Sequence, residues 1–261
     1  MAKADSEKQT IAELTSSRLG PDRFSSARVS LNEGSPLAEI IWALDRNQPG
    51  DPRTPERVCP ALYSFSVSID GALNQDDRAG LWPFATRLLD SKVDSAAEQA
   101  RAFQIADWAV REVAPLAFEF WGQTQAAESL RALAPLNKET ADTASLVLHE
   151  AARAAGSQIQ LVASAEQALH EVSGHAINSL CRADDCSEYG AFSSIAEHFA
   201  GAAAAEAAEA AGAAESSGVD SELLSQISLN LLDRICPAQF HKSPSSDFIT
   251  QPCKSSTFRD A

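Results

Sequence analysis

From Glu197 the chain reads EHFAGAAAAEAAEAAGAAES, twenty residues in which alanine predominates and no lysine or arginine occurs. Such a run narrows the choice of fold severely. Alanine is the best helix former because it loses no side-chain entropy on ordering, yet each methyl buries little area. A helix built this way is held by close approach to its neighbours rather than by large side chains. The acids Glu206 and Glu209 lie three apart and share one helix face, with Glu215 offset from them. No cation stands at i±4 to pair with them, so that face is either simply solvated or open to a cationic partner. Glu206, Glu209 and Glu215 are therefore the candidate interaction face.

The flanking segments carry helical signals of their own. The segment ETADTASLVLHEAARAAG predicts a helix capped at Asn137 or Thr140 and stopped at Gly156. From Ser157 to Leu180 the positions Leu161, Ala165, Ala168, Leu169, Val172, Ala176 and Leu180 recur at helical spacing. After Gly218, Asp220 or Ser221 caps a last helix whose Leu224, Ile227, Leu231 and Ile235 form a seam, and Pro237 ends it. Upstream, Ser35-Pro36 opens a helix with Leu37, Ile40, Ile41 and Leu44 on one face. Asn74 caps another that runs through Leu89, with a kink at Pro83. Ser95 with Glu98 matches a capping box and leads into a stripe of Ala102, Ile105, Ala106, Ala109, Val110 and Val113. Pro115 interrupts that helix, Gly122 closes it, and Thr124 caps a short one carrying Leu130 and Leu133. Residues 61–73 are ambiguous, because Tyr63, Phe65, Val67 and Ile69 alternate with serines. Only 27–31 offers a partner strand, so helix is expected. The expected class is all-α, a multi-helix bundle or helical array with an alanine-rich C-terminal half. It is divided into N-terminal helices and a loop (1–58), a main helical domain (59–236) and a flexible tail (237–261).

Charge narrows the partners. The net charge is −15 over 261 residues, and most of the excess is local. Between 141 and 234 three arginines (Arg153, Arg182, Arg234) stand against fourteen Asp and Glu, an excess of eleven negative charges. Such a surface repels nucleic acid and anionic membranes and favours a basic protein partner. No stretch of about 18 strongly apolar residues predicts a membrane span. The opening MAKADSEKQT has no apolar core of a secretory signal. Five cysteines (Cys59, Cys181, Cys186, Cys236, Cys253) fit free thiols in a reducing cytoplasm better than a disulfide framework.

Residues that could carry chemistry are few, and none earns a catalytic role. His170-Glu171-Val172-Ser173-Gly174-His175 has its histidines five apart, about 140° around a helix, whereas a zincin needs them four apart. His149, His170, His175 and His198, each with a glutamate nearby, remain as candidate metal ligands contributed by neighbouring helices. Cys181 and Cys186 form a C-x4-C pair expected in a loop between helices, where it could join His175 and His198 on zinc. Cys59 is expected to be a buried structural thiol, and Asp107 with Arg111 an i,i+4 pair beside Trp108. Trp42, Trp82 and Trp121 are expected as core anchors.

The segment IADWAVREVAPLAFEFWGQTQAAESLRALAPL, the alanine-rich helices after it and the closing Leu231-Leu232-Asp233-Arg234 resemble a set of uncharacterised bacterial proteins sharing a D-W-A-x-R helix and a downstream proline. In layout the chain is similar to an immunity-protein family of the polymorphic-toxin systems, over residues 59–236. That resemblance implies a binding protein and transfers no catalytic residue. Two functions follow as expectations: an acidic helical module that docks a basic protein and needs no cofactor, or a metal-dependent helical-bundle enzyme holding zinc or a di-metal pair on the four histidines.

Overall fold

The computed structural model describes residues 37, 38, 41, 55, 57–72, 79–89, 91–158, 163–188 and 193–236. Within them 83% of residues are helical and none is in a strand. The protein is all-α. The ambiguous serine-rich run resolves as helix α1 (Pro60–Ala72), and Pro60 fits the first helical turn because its missing N–H is not needed there. A short 3-10 turn (Ala79–Leu81) leads into α2 (Trp82–Leu88). Pro83 lies in the first turn of α2, so it opens this helix rather than kinking a longer one begun at Asn74. Asn74 itself lies outside the described residues.

Helix α3 (Ser95–Trp108) runs into a π-helical turn (Ala109–Val113) and on into α4 (Ala114–Phe120). Pro115 accounts for the turn. It has no N–H to donate and its ring would strike the carbonyl one turn back, so the backbone widens and Ala114 N–H reaches Ala109 O, five residues away. The expected interruption is thus a swelling in a continuous helix. Gly122, at φ 75°, closes it as expected. Helix α5 (Thr124–Arg131) follows. Thr124 is its first residue and not its cap, and no side chain caps it.

Helix α6 (Ala141–Gln158) starts at the Asn137–Thr140 turn, where Asn137 O accepts Ala141 N–H, and it runs two residues past the expected stop at Gly156. Helix α7 (Ala163–Glu188) is longer than the periodicity implied: Leu169, Val172, Ala176 and Leu180 are buried as expected, and the stripe continues through Ala183 and Cys186. Helix α8 (Ser193–Ser216) is the alanine-rich stretch. Gly218 has φ 110°, which lets Val219 N–H turn back onto Ala214 O. Asp220 then caps α9 (Ser221–Ile235), accepting Glu222 N–H at 2.9 Å. Of the N-terminal helix, Leu37 and Ile41 are described. Both are helical and fully buried, and Leu37 N–H reaches Asp70 Oδ2 at 3.4 Å. Ile40, Leu44, Trp42, Leu161 and the expected tail (237–261) lie outside the described residues.

Helix α8 is the axle of the bundle. It packs against α7, α1, α3 and the π turn. Ala196, Ala200, Ala203, Ala204, Ala207, Ala208, Ala210, Ala211 and Ala214 are all buried, and only His198, Glu209 and Ser216 are well exposed along its described length. Each buried methyl contributes only about 0.8 kcal/mol, so what alanine supplies is proximity. One close approach is to α1, where a Cβ placed on Gly201 would stand 3.0 Å from Ser64 Oγ and 3.8 Å from Pro60 O. The larger volumes sit around the axle: Phe65 of α1 meets Trp108 of α3 edge to face, ring centroids 5.1 Å apart, and both are fully buried.

Two mid-helix glycines therefore respond oppositely to substitution. Gly201→Val is expected to cost about 1–3 kcal/mol by overpacking the α1–α8 crossing. Gly174→Ala, whose added Cβ meets nothing within 4 Å, is expected to stabilise by about 0.5–1 kcal/mol. Urea denaturation of the two variants beside the parent measures both signs.

Candidate interaction surface

Helices α7 and α8 form an antiparallel hairpin whose register is set by three side-chain contacts. Ser179 Oγ donates to Ala203 O at 2.8 Å, the Arg182 guanidinium lies 5.8 Å from the Phe199 ring centroid, and His175 Nδ1 meets Glu206 Oε2 at 2.8 Å. A carboxylate oxygen can only accept, so Nδ1 carries the proton in that bond. Asn178 Nδ2 approaches the same Oε2 at 3.5 Å. His175 and Glu206 are each about one-third exposed, so this pair ties the hairpin together at its rim.

The register also places the other histidines. His170 and His198 project outward from opposite stretches of the hairpin, roughly 20 Å apart along its axis at 1.5 Å per residue. His175 and His198 are separated along it by about 12 Å. His149 is exposed on α6. Among the described residues no group of three or more His, Cys, Asp or Glu side chains could hold a metal ion. The four histidines expected as ligands do not converge: His175 is engaged by Glu206, and the His198 ring stands edge to face with Phe199, centroids 5.9 Å apart.

The cysteine pair fails for a related reason. Cys181 and Cys186 lie inside α7 and not in a loop, about 140° apart around the helix. Cys181 is exposed and Cys186 is buried. Burial, with Asp185 and Asp184 beside it, raises the Cys181 thiol, so it is not an activated nucleophile. Cys59 is buried as expected: its N–H donates to Ser91 Oγ at 2.9 Å, and burial followed by the nearby Glu98 charge pushes its thiol up to about 12. Burial likewise lifts Cys186 and Cys236 to about 11.

Glu98 is a correction to the capping-box reading. The cap of α3 is Asp94, whose Oδ1 accepts Ala97 N–H at 2.9 Å, and Ser95 is the first helical residue. Glu98 does not turn back on its own helix. It is 2% exposed, and its Oε1 accepts Ala61 N–H at 2.8 Å at the start of α1. A carboxylate in the core thus satisfies an orphan donor and meets the positive end of a second helix. The S-x-x-E spacing marked the residue, but local spacing cannot reveal a partner 37 positions away.

The expected interaction face of α8 is divided. Glu209 is exposed, Glu206 is engaged by His175, and Glu215 is half-buried. Most of α8 turns inward, so the solvent-facing anions belong mainly to its neighbours. Asp142, Glu150, Glu171 and Glu222 are exposed and have no ion-pair partner among the described residues. Of the cations in this half, Arg182 reaches Asp185 at 3.5 Å and Arg234 reaches Glu112 at 2.7 Å. Arg87 of α2 binds Asp233 at 2.7 Å and also donates to Cys236 O at 2.5 Å, closing the end of α9. Lys92 meets Glu197 at 2.5 Å. Asp107 of α3 and Arg111 of the π turn pair at 3.1 Å as expected, and the carboxylate also accepts Leu136 N–H at 2.9 Å, so it anchors the loop before α6. Trp108 is fully buried, Trp121 is half-buried against the core, and the side chain of Trp82 is not described.

No family model, curated protein or solved structure matches this chain. No helix among the described residues is long and apolar enough to cross a membrane.

Two outcomes test this arrangement. Glu98→Ala is expected to cost about 1.5–3 kcal/mol, as loss of a charged partner to a buried N–H should, and Asp94→Ala about 1 kcal/mol. Ser95→Ala should stay within about 0.5 kcal/mol, all read from urea midpoints. Alkylation of the native protein at pH 8 followed by peptide mapping should modify Cys181, more slowly than an unperturbed thiol, and spare Cys59, Cys186 and Cys236.

Proposed function

We propose that this protein is an acidic, all-helical binding module for a basic protein partner, as an immunity protein or an inhibitor of a cationic protein would be. One observation supports this reading above the others: five acids of the 141–234 half stand on the surface in no ion pair among the described residues. Asp142, Glu150, Glu171, Glu209 and Glu222 are exposed and in no ion pair among the described residues, while two of the three arginines, Arg182 and Arg234, are already engaged by acids of the same fold. Like charges so displayed raise the free energy of the isolated protein slightly and steer an oppositely charged partner toward it. Complementary charge of this kind raises the association rate and restricts partners more than it adds raw affinity.

The α-helical scaffold suits such a role. Its core is closed by alanine packing and its anions are carried on α6, α7, α8 and α9, elements that need not rearrange to present them. Nothing in the geometry favours a catalytic reading, since no described nucleophile is activated and the histidines stand apart.

The test is capture of a partner from the native host in low salt, with release as ionic strength passes about 0.15 M, where screening reaches about 8 Å. Replacing Glu171, Glu209 and Glu222 together by lysine is expected to slow association at least tenfold with little change in thermal stability, followed by stopped-flow or surface-plasmon kinetics. Absence of any salt-sensitive basic partner would overturn the reading.

A further inference from the structure

Helix α9 meets the bundle differently from α7 and α8. Those two pack closely against each other, and α8 against α1, whereas α9 touches α1, α3 and α8 sparingly. Its buried face is Leu224, Ser225, Ser228, Leu231 and Leu232, so serines interrupt the apolar seam. Ser228 Oγ donates to Leu224 O at 2.7 Å, one turn back in the same helix, and this bond ties α9 to nothing else. Beside the seam, Leu229 rests on the 3-10 turn, where a Cβ added to Gly80 would fall 2.9 Å from Leu229 Cδ1.

The ends of α9 are fastened more specifically. The chain enters through Gly218, whose φ of 110° turns it out of α8. At the far end Arg87 of α2 gathers the last turn. Its Nη1 donates to Asp233 Oδ1 at 2.7 Å, and its Nη2 to Asp233 O at 3.2 Å and Cys236 O at 2.5 Å. The two carbonyls belong to a helix end, which leaves such acceptors without partners of its own, and a cation there meets the negative end of the helix dipole. The guanidinium is steadied over the Phe84 ring, 4.8 Å from its centroid. Arg234 reaches Glu112 of the π turn as a second tie. An element with a thin buried seam opens at a lower free energy than the core around it.

We propose that α9 is a strap that opens as a unit while α1, α3, α7 and α8 stay folded, swinging on Gly218 when the Arg87 clasp lets go. Opening uncovers Leu224, Leu231 and Leu232 together with the faces of α1, α3 and α8 beneath them, apolar surface that the closed form hides. It also frees the Cys236 thiol, buried at the end of the helix.

Hydrogen exchange of the full chain, read by mass spectrometry, and prolonged alkylation of the native protein test this. In the parent, amides of 224–232 should exchange together and at least about tenfold faster than those of 172–183 in α7, after correction for intrinsic rates. Cys236 should react before Cys186 over long labelling. Arg87→Ala should speed both readouts of α9 by about tenfold or more. Arg234→Ala, which alters only an exposed side chain, should speed them about two- to fivefold, with α7 unmoved. If Arg87→Ala loosens the whole fold, the parent and Arg234→Ala still decide. Exchange of α9 no faster than that of α7 in the parent would overturn the proposal. So would acceleration confined to 233–236, which would mean fraying of the last turn alone.

Discussion

Everything in this bundle depends on how near other helices come to α8. A backbone clothed in methyl groups can be approached from several sides at once, and here α7, α1 and α3 all take that opportunity. The stabilisation gained per residue is small, so it must be gained nearly everywhere along the helix, and nine alanines are buried to that end. Interiors packed to crystalline density tolerate added volume poorly. The constraint is therefore sharpest where side chains are smallest, at Gly201 against Ser64 and the Pro60 carbonyl.

The same crowding decides where polar groups can go. With α8 occupied by contacts, charge is displaced to the outer faces of α6, α7 and α9 and to the corners. Two carboxylates are kept in the core among the described residues, and each meets a backbone donor: Glu98 accepts Ala61 N–H at the start of α1, and Asp70 accepts Leu37 N–H. Between these extremes lie bonds that fasten one element to another at the rim: His175 to Glu206 across the hairpin, Arg87 to the end of α9, Arg234 to Glu112. Such exposed pairs each contribute little to stability, but they engage Arg87 and Arg234, while Asp142, Glu150, Glu171, Glu209 and Glu222 stand exposed in no ion pair among the described residues.

Much of the fold was legible in the sequence, because periodicity and capping are local. The buried stripe of α7, the seam of α9, the glycine stop at Gly122 and the helical nature of residues 61–72 all follow from spacing and from alanine, glycine and proline chemistry. What was not legible depended on distance. Nothing near Glu98 in the chain points to Ala61, and nothing near Glu206 points to His175. The acids of α8 read as an outward face because a helix inspected alone has no neighbours. Once α8 is central, its own faces are largely spoken for. The cysteine pair looked like a loop because Asp184 and Asp185 are poor helix formers, but packing of Ala183 and Cys186 in the core carries α7 straight through them.

The π turn at Ala109–Val113 has a consequence for how α4 is aimed. One additional residue is accommodated there, so the chain beyond it is rotated by about 100° relative to an uninterrupted α-helix. Phe118 points to the interior and Phe120 outward only under that rotation. A chain one residue shorter between Ala109 and Val113 would keep the interior side chains of α3 in place and turn α4 about its own axis. Its aromatic pair would be dealt out afresh between core and solvent. Proline 115 thus governs the orientation of a surface it does not touch.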